Sequence, residues 1–232
     1  MTKDPLETVA SSVSADLSTA PEFIQKLLAW YNENKRDFGW RRTKDPYRIL
    51  VAEMMLQKTT SKQVDELYDR FLQKYPTPLS LANASLSEIE DCIRPLGMEH
   101  RRAPKFKQLA QIIVEKYAYK VPRSKDALIS LPGVGEYIAN AVLCLAYNED
   151  VALLDTNVVR VLERFFGITS EKARARTDKT LWKTYQKIIP KGKARDFNLA
   201  VLDFAALICT AKNPKHNVCP VRNCCQFMKQ GG

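Results

Sequence analysis

The sequence predicts an all-α fold of two helical lobes with a cleft between them, and three observations predict it. Apolar residues recur three and four apart through nearly the whole chain, the spacing that gathers them on one face of a helix. No stretch alternates with period two for long enough to argue a sheet. Proline and glycine interrupt the helical runs at Pro76-Thr77-Pro78, Pro95-Leu96-Gly97, Pro122, Pro132-Gly133, Gly167 and Pro190-Lys191-Gly192.

In chain order, residues 1–20 come first, rich in Ser, Thr, Ala and acids without sustained periodicity, and read as a disordered tail. A helix near 22–36 follows, with Phe23, Leu27, Leu28 and Tyr31 on one face. Val64, Leu67, Tyr68 and Phe71 mark a second helical face, and Phe106, Leu109, Ile112, Ile113 and Tyr117 a third. Ala139, Val142, Leu143 and Ala146 line the next helix, Val158, Val159, Leu162 and Phe165 the one after it, and helices near 178–209 complete the pattern. The chain thus returns on itself. The folded unit is expected over 21–228: a six-helix lobe at about 48–147, a second lobe from 21–47 plus 148–208, and a loop over 209–225.

Composition narrows the functional classes. A chain of 232 residues holds one large or two small domains, and 45% hydrophobic with 27% charged residues suits a globular protein. No apolar run approaches the ~20 residues that cross a bilayer, and no signal-peptide pattern opens the chain. The expectation is an intracellular monomer without membrane association, cytoplasmic and nucleoid-associated in a prokaryote. Net charge is +10, and residues 1–20 hold Lys3 against Asp4, Glu7 and Asp16, so the remainder carries +12. Such an excess suits a polyanion such as nucleic acid. Of six cysteines, four lie in the last 24 residues, which points to metal rather than disulfides.

The most informative stretch is Leu131-Pro132-Gly133-Val134-Gly135 before a helix-forming run. Two glycines two apart let the backbone turn tightly and aim amide N–H groups in one direction, and a helix N-terminus adds a favourable dipole for a phosphate. Asp155 lies 20 residues beyond Gly135, after an apolar segment, and opens the next helix. It reads as a helix cap or as a lone carboxylate held beside a phosphate grip.

These residues resemble the helix–hairpin–helix, Gly/Pro-Asp signature of the endonuclease III superfamily of DNA glycosylases. Val51-Ala52-Glu53-Met54-Met55-Leu56-Gln57-Lys58-Thr59-Thr60 resembles a second block of that family and the C-terminal cysteines a third, in family order from about residue 22 to 228. The resemblance implies double-stranded DNA, carrying a mismatch or damaged base, bent across the cleft with one nucleotide turned out. It places Leu131, Gly133, Val134 and Gly135 at the DNA backbone. It makes Asp155 the catalytic carboxylate that stabilises an oxocarbenium-like sugar and orients water. Bifunctional relatives carry a lysine two residues past the hairpin; here Tyr137 stands there, and a phenol forms no imine. A monofunctional enzyme without strong strand-cutting activity is therefore implied, of the branch that removes thymine or uracil opposite guanine. Glu53 matches the acid that protonates the purine in adenine glycosylases; alternatively it pairs with a base such as Arg48 or holds the pyrimidine edge. Gln57 matches a residue that fills the space of the extruded base, and Met98 an apolar wedge.

Relatives end in Cys-x6-Cys-x2-Cys-x5-Cys, which binds a [4Fe–4S] cluster. Here Cys209, Cys219 and Cys225 hold the first, third and fourth places and His216 the second, with Cys224 as an alternative ligand. Zinc on the same residues, or no metal, are the alternatives. Adenine excision opposite guanine or 8-oxoguanine is the second enzymatic reading, supported by Glu53 and Met55-Leu56-Gln57. Adenine glycosylases of this superfamily carry a further C-terminal domain, whereas this sequence continues seven residues past Cys225. A DNA-binding module without activity is the reading from a different class.

Overall fold

The computed structural model describes residues 16–231. Most of the tail expected over 1–20 lies outside this range; Ala20 already opens the first helix and is buried. Twelve α-helices and no strand occur among the described residues. They are α1 (Ala20–Asn34), α2 (Pro46–Leu56), α3 (Ser61–Lys74), α4 (Pro78–Asn83), α5 (Leu86–Ile93) and α6 (Glu99–Lys116). Then come α7 (Lys125–Ile129), α8 (Glu136–Tyr147), α9 (Thr156–Phe166), α10 (Lys179–Ile188), α11 (Ala194–Leu207) and α12 (Gln226–Lys229). None is long and apolar enough to cross a membrane.

Local chemistry starts these helices where they start. Asp45 accepts from the amides of Tyr47 and Arg48, with Pro46 preset in the first turn of α2. Thr60 with Gln63, Thr77 with Ser80, and Ser85 with Glu88 form reciprocal caps at α3, α4 and α5. Buried faces then pair the helices: α2 packs on α8, α4 and α5 on α6, and α7 on α8. A second group packs α1 and α9 against α11, with α12 against α9. At its centre Phe23 meets Phe165 at 4.4 Å, Phe166 at 5.2 Å and Phe197 at 6.1 Å between ring centroids.

A buried ion cluster joins the two groups. Asp203 of α11, fully buried, accepts from the Arg36 amide (2.9 Å) and Arg36 Nε (2.6 Å), and from Arg41 Nη1 (2.6 Å) and Nη2 (2.8 Å). Both arginines belong to the segment that links α1 to α2. Phe38 of the same segment lies 5.3 Å from each guanidinium and stacks on Trp40 at 4.6 Å. Four donors satisfy the carboxylate, so the link is fixed despite its lack of helical pattern.

Candidate active site

A cleft of about 840 Å³ opens where the two groups of helices meet. Glu53 and Gln57 from α2 and its end, Met98, Gly133, Gly135, Tyr137 and Asp155 all line it, with Arg36 and Arg41 on the linking wall. Residues spread over a hundred positions of sequence therefore face one space.

The hairpin between α7 and α8 forms the grip. Gly133 has φ +84°, a conformation that demands glycine, and a Cβ there would sit 2.8 Å from Met54 Cε, so the end of the Met54 side chain would have to move. Gly135 ends the turn without a side chain to cap α8, which leaves the first-turn amides of α8 to an external acceptor. Leu131 and Val134, expected at the DNA backbone, face inward with their side chains. Their side chains are buried, and the Val134 amide donates to Leu131 O at 3.1 Å while the Leu131 amide donates to Leu128 O at 3.1 Å. They anchor the hairpin from inside. Gln57 is tied as well: its Nε2 donates to Gly133 O at 2.7 Å and clamps the turn to the end of α2. Met98 stands at the cleft edge, 42% exposed, in a left-handed conformation with φ 56°.

Asp155 arrives on the extended segment 151–154, whose peptide groups are held by side-chain amides from three helices. Asn140 donates to Ala152 O (2.9 Å) and Asn198 to Val151 O (2.8 Å), while Asn198 Oδ1 accepts from the Leu153 amide (3.1 Å). Gln186 accepts from the Ala152 amide (2.9 Å) and donates to Asp150 O (2.7 Å). Asp155 itself caps α9: Oδ1 accepts from the amides of Asn157 (2.9 Å) and Val158 (2.7 Å), and Oδ2 from Asn157 Nδ2 (2.8 Å). Cap and cleft residue are one and the same. Capping fixes the direction in which the carboxylate faces the cleft.

Glu53 is buried, and among the described residues its carboxyl makes no hydrogen bond; Arg48, the partner expected as an alternative, is exposed. Burial pushes the Glu53 carboxyl up to about 7, with the Arg41 charge opposing and Asp155 adding to the shift. The half-buried Tyr137 is raised well above the ordinary phenol value by burial, then by Glu53 and Asp155, so it stands neutral. Sequence patterns gave no sign of Arg36, Arg41 and Asp203, because the link over 35–45 has no periodicity. Asn140 and Asn198 lie at apolar-patterned helix faces, where a buried amide is the only signal.

At the C-terminus, Cys209, His216, Cys219 and Cys225 line one small apolar pocket with Phe165, Phe204 and Phe227. Cys225 Sγ donates to Arg164 O at 3.3 Å, and Arg164 Nη1 lies 3.6 Å from Cys209 Sγ. Cys224 takes no part in the pocket; it is buried and its thiol donates to Val221 O at 3.5 Å. No three His, Cys, Asp or Glu side chains among the described residues gather as chelators of a single ion.

Comparison with known proteins agrees with this geometry. The chain is 45% identical over 213 residues to a thymine/uracil-DNA glycosylase of Pyrobaculum aerophilum, covering 90% of this chain and 93% of that protein. Its fold matches the solved structure of a thermostable thymine-DNA glycosylase with a TM-score of 0.88 and 38% identity, over 93% of this chain and 99% of the other. A trapped covalent intermediate of endonuclease III with DNA matches at TM-score 0.81 and 26% identity, over 92% and 97%. Residues 51–187, more than half of the chain and including Glu53, the hairpin, Tyr137 and Asp155, match the family model HhH-GPD, and the protein therefore belongs to the HhH-GPD superfamily of base excision DNA repair proteins.

Proposed function

We propose that this protein is a monofunctional DNA glycosylase that hydrolyses the N-glycosidic bond of thymine or uracil mispaired with guanine. The observation that carries the reading is the convergence of Asp155, Glu53 and Tyr137 on one cleft beside the Gly133–Gly135 hairpin. Open amides at the start of α8 hold a backbone phosphate, and the target nucleotide turns out of the duplex into the cleft. As the C1′–N1 bond breaks, its electron pair passes to the pyrimidine and positive charge builds on the sugar. The oriented Asp155 carboxylate stabilises that charge and directs water, whose oxygen bonds to C1′ as its proton passes to the carboxylate. Protonated Glu53, with no partner of its own, donates to the departing ring. Tyr137 contributes a wall but no amine, so no imine forms and an abasic site is left. Relatives named as thymine/uracil- and thymine-DNA glycosylases support the base class.

Single-turnover assays on labelled duplexes with T·G, U·G, A·G and A opposite 8-oxoguanine test this. The expected result is release of T or U, with strand breaks only after alkali, and a loss of about 10²–10³-fold in Asp155→Asn, which still caps α9 and binds DNA. Breaks without alkali, or an Asp155→Asn variant of undiminished rate, would overturn it. Adenine excision is the second reading, favoured by the raised Glu53 carboxyl, and release of adenine alone would establish it.

The C-terminal pocket fits a [4Fe–4S] cluster by its donor set, three thiols and an imidazole around one apolar space. Cys209, His216, Cys219 and Cys225 would hold it, and it would staple the C-terminal loop to α9. Anaerobically purified protein is expected to be brown, with iron and sulfide in equal amounts. A colourless, iron-free, folded protein would reject the cluster.

A further inference from the structure

Arg102, in the first turns of α6, is buried and lies at the cleft, yet faces no carboxylate. Its guanidinium is spent on oxygen atoms of two separate turns. Nε donates to Gly97 O at 3.0 Å. Nη1 donates to Met54 O at 3.1 Å and Met55 O at 3.4 Å, and Nη2 to Gln57 O at 2.5 Å and Thr59 Oγ1 at 2.7 Å. The Met54, Met55 and Gln57 carbonyls are the orphan acceptors at the C-terminal end of α2, where a cation also meets the negative end of the helix dipole. Thr59 Oγ1 donates in turn to Gln57 O at 3.2 Å.

Each of the two turns holds a non-glycine residue in the left-handed region, Lys58 at φ 57° and Met98 at φ 56°. Such conformations persist only where the surroundings over-determine them. Here the surroundings are Arg102. The adjacent turns present Gln57, Lys58 and Met98 to the same cleft, and Gln57 then clamps the hairpin through Gly133 O.

We propose that Arg102 is a positioning residue for nucleotide extrusion: it locks the Gln57–Thr59 turn and the Gly97–Met98 turn into one rigid pair that enters the duplex when a base leaves it. A hydrogen-bonded strut is needed because unstacking a base costs a few kcal/mol, and a wedge that yields cannot hold the gap open. Lysine cannot replace it, since one ammonium does not span five oxygen atoms on two turns. The inference rests on the glycosylase reading for its chemistry, but extrusion is measurable without bond cleavage.

The test uses duplexes with 2-aminopurine next to the T or U opposite G, whose fluorescence rises on unstacking. Arg102→Lys and Arg102→Gln are compared with Thr59→Val, which removes one guanidinium contact at a half-exposed position and keeps the fold. The expected result is DNA affinity within about threefold of the parent, a fluorescence rise cut by half or more, and a single-turnover rate at saturating enzyme at least tenfold lower. The Thr59→Val effect should be in the same direction and smaller. Variants with parental melting temperature, fluorescence rise and rate would overturn the proposal. So would variants whose affinity, rise and rate all fall in proportion to the folded fraction, since that is plain destabilisation. If the parent unstacks the duplex without releasing any base, the glycosylase reading fails while the Arg102 comparison still decides this one.

Discussion

At the scale of single residues, Glu53 carries the clearest pH signature. Its folded-state value of about 7 lies above the ordinary carboxyl value, because burial disfavours the charged form more than Arg41 favours it. Below pH ~4 the group is protonated in both folded and unfolded chains and contributes no penalty. As pH rises from there through about 7, the unfolded chain ionises first, so stability falls across that window and levels off above it. Glu53→Gln is therefore expected to melt higher than the parent at pH 8 by a margin that shrinks at pH 5. On the proposed mechanism, activity follows the same proton. The parental single-turnover rate should decline as pH rises through about 7, whereas Glu53→Gln should be slower and flat across that range. A parental rate that climbs through this range would remove Glu53 as the donor.

At the scale of elements, the hairpin is a device in which every residue has a separate task. Leu131 and Val134 fill the core, Gly135 leaves α8 uncapped, and Gly133 passes against Met54. Gly133→Ala is expected to cost about 1–3 kcal/mol from the forced positive φ and the 2.8 Å approach to Met54. DNA affinity should fall with it. Measured in a Met54→Ala background, the cost of Gly133→Ala should be smaller by its steric part while the φ strain remains; a cost that vanishes there would mean that space alone selects glycine. Most helices were legible from the sequence because their apolar spacing and their Thr, Ser and Asp caps are local signals. Asp155, Glu53 and Tyr137 were legible as members of a motif, and they do converge on the cleft. What a motif read as a string did not say is that the Leu131 and Val134 side chains are buried and their amides are already bonded inward. Arg102 and Asn198 were invisible for a related reason. Their partners are backbone oxygen and nitrogen atoms, which carry no residue identity.

At the scale of the whole molecule, charge and connectivity set the conditions for the site. The excess of basic residues gives DNA binding a sequence-independent, salt-sensitive component. The second group of helices, built from both ends of the described chain, meets the central group along the cleft, so no single stretch of sequence encodes the site. Arg36 and Arg41, held by the buried Asp203, pin that meeting from the linking segment.

The Asp203 cluster also bears on which partner yields if the proposed protein–DNA complex forms. A desolvated carboxylate with four donors resists separation of the two groups of helices at that point, and on the proposed reading part of the deformation then falls on the nucleic acid. A mispaired step bends and opens at lower cost than a matched one. On that reading the stiffness of this joint is a yardstick, and the duplex that complies most easily is the one it favours.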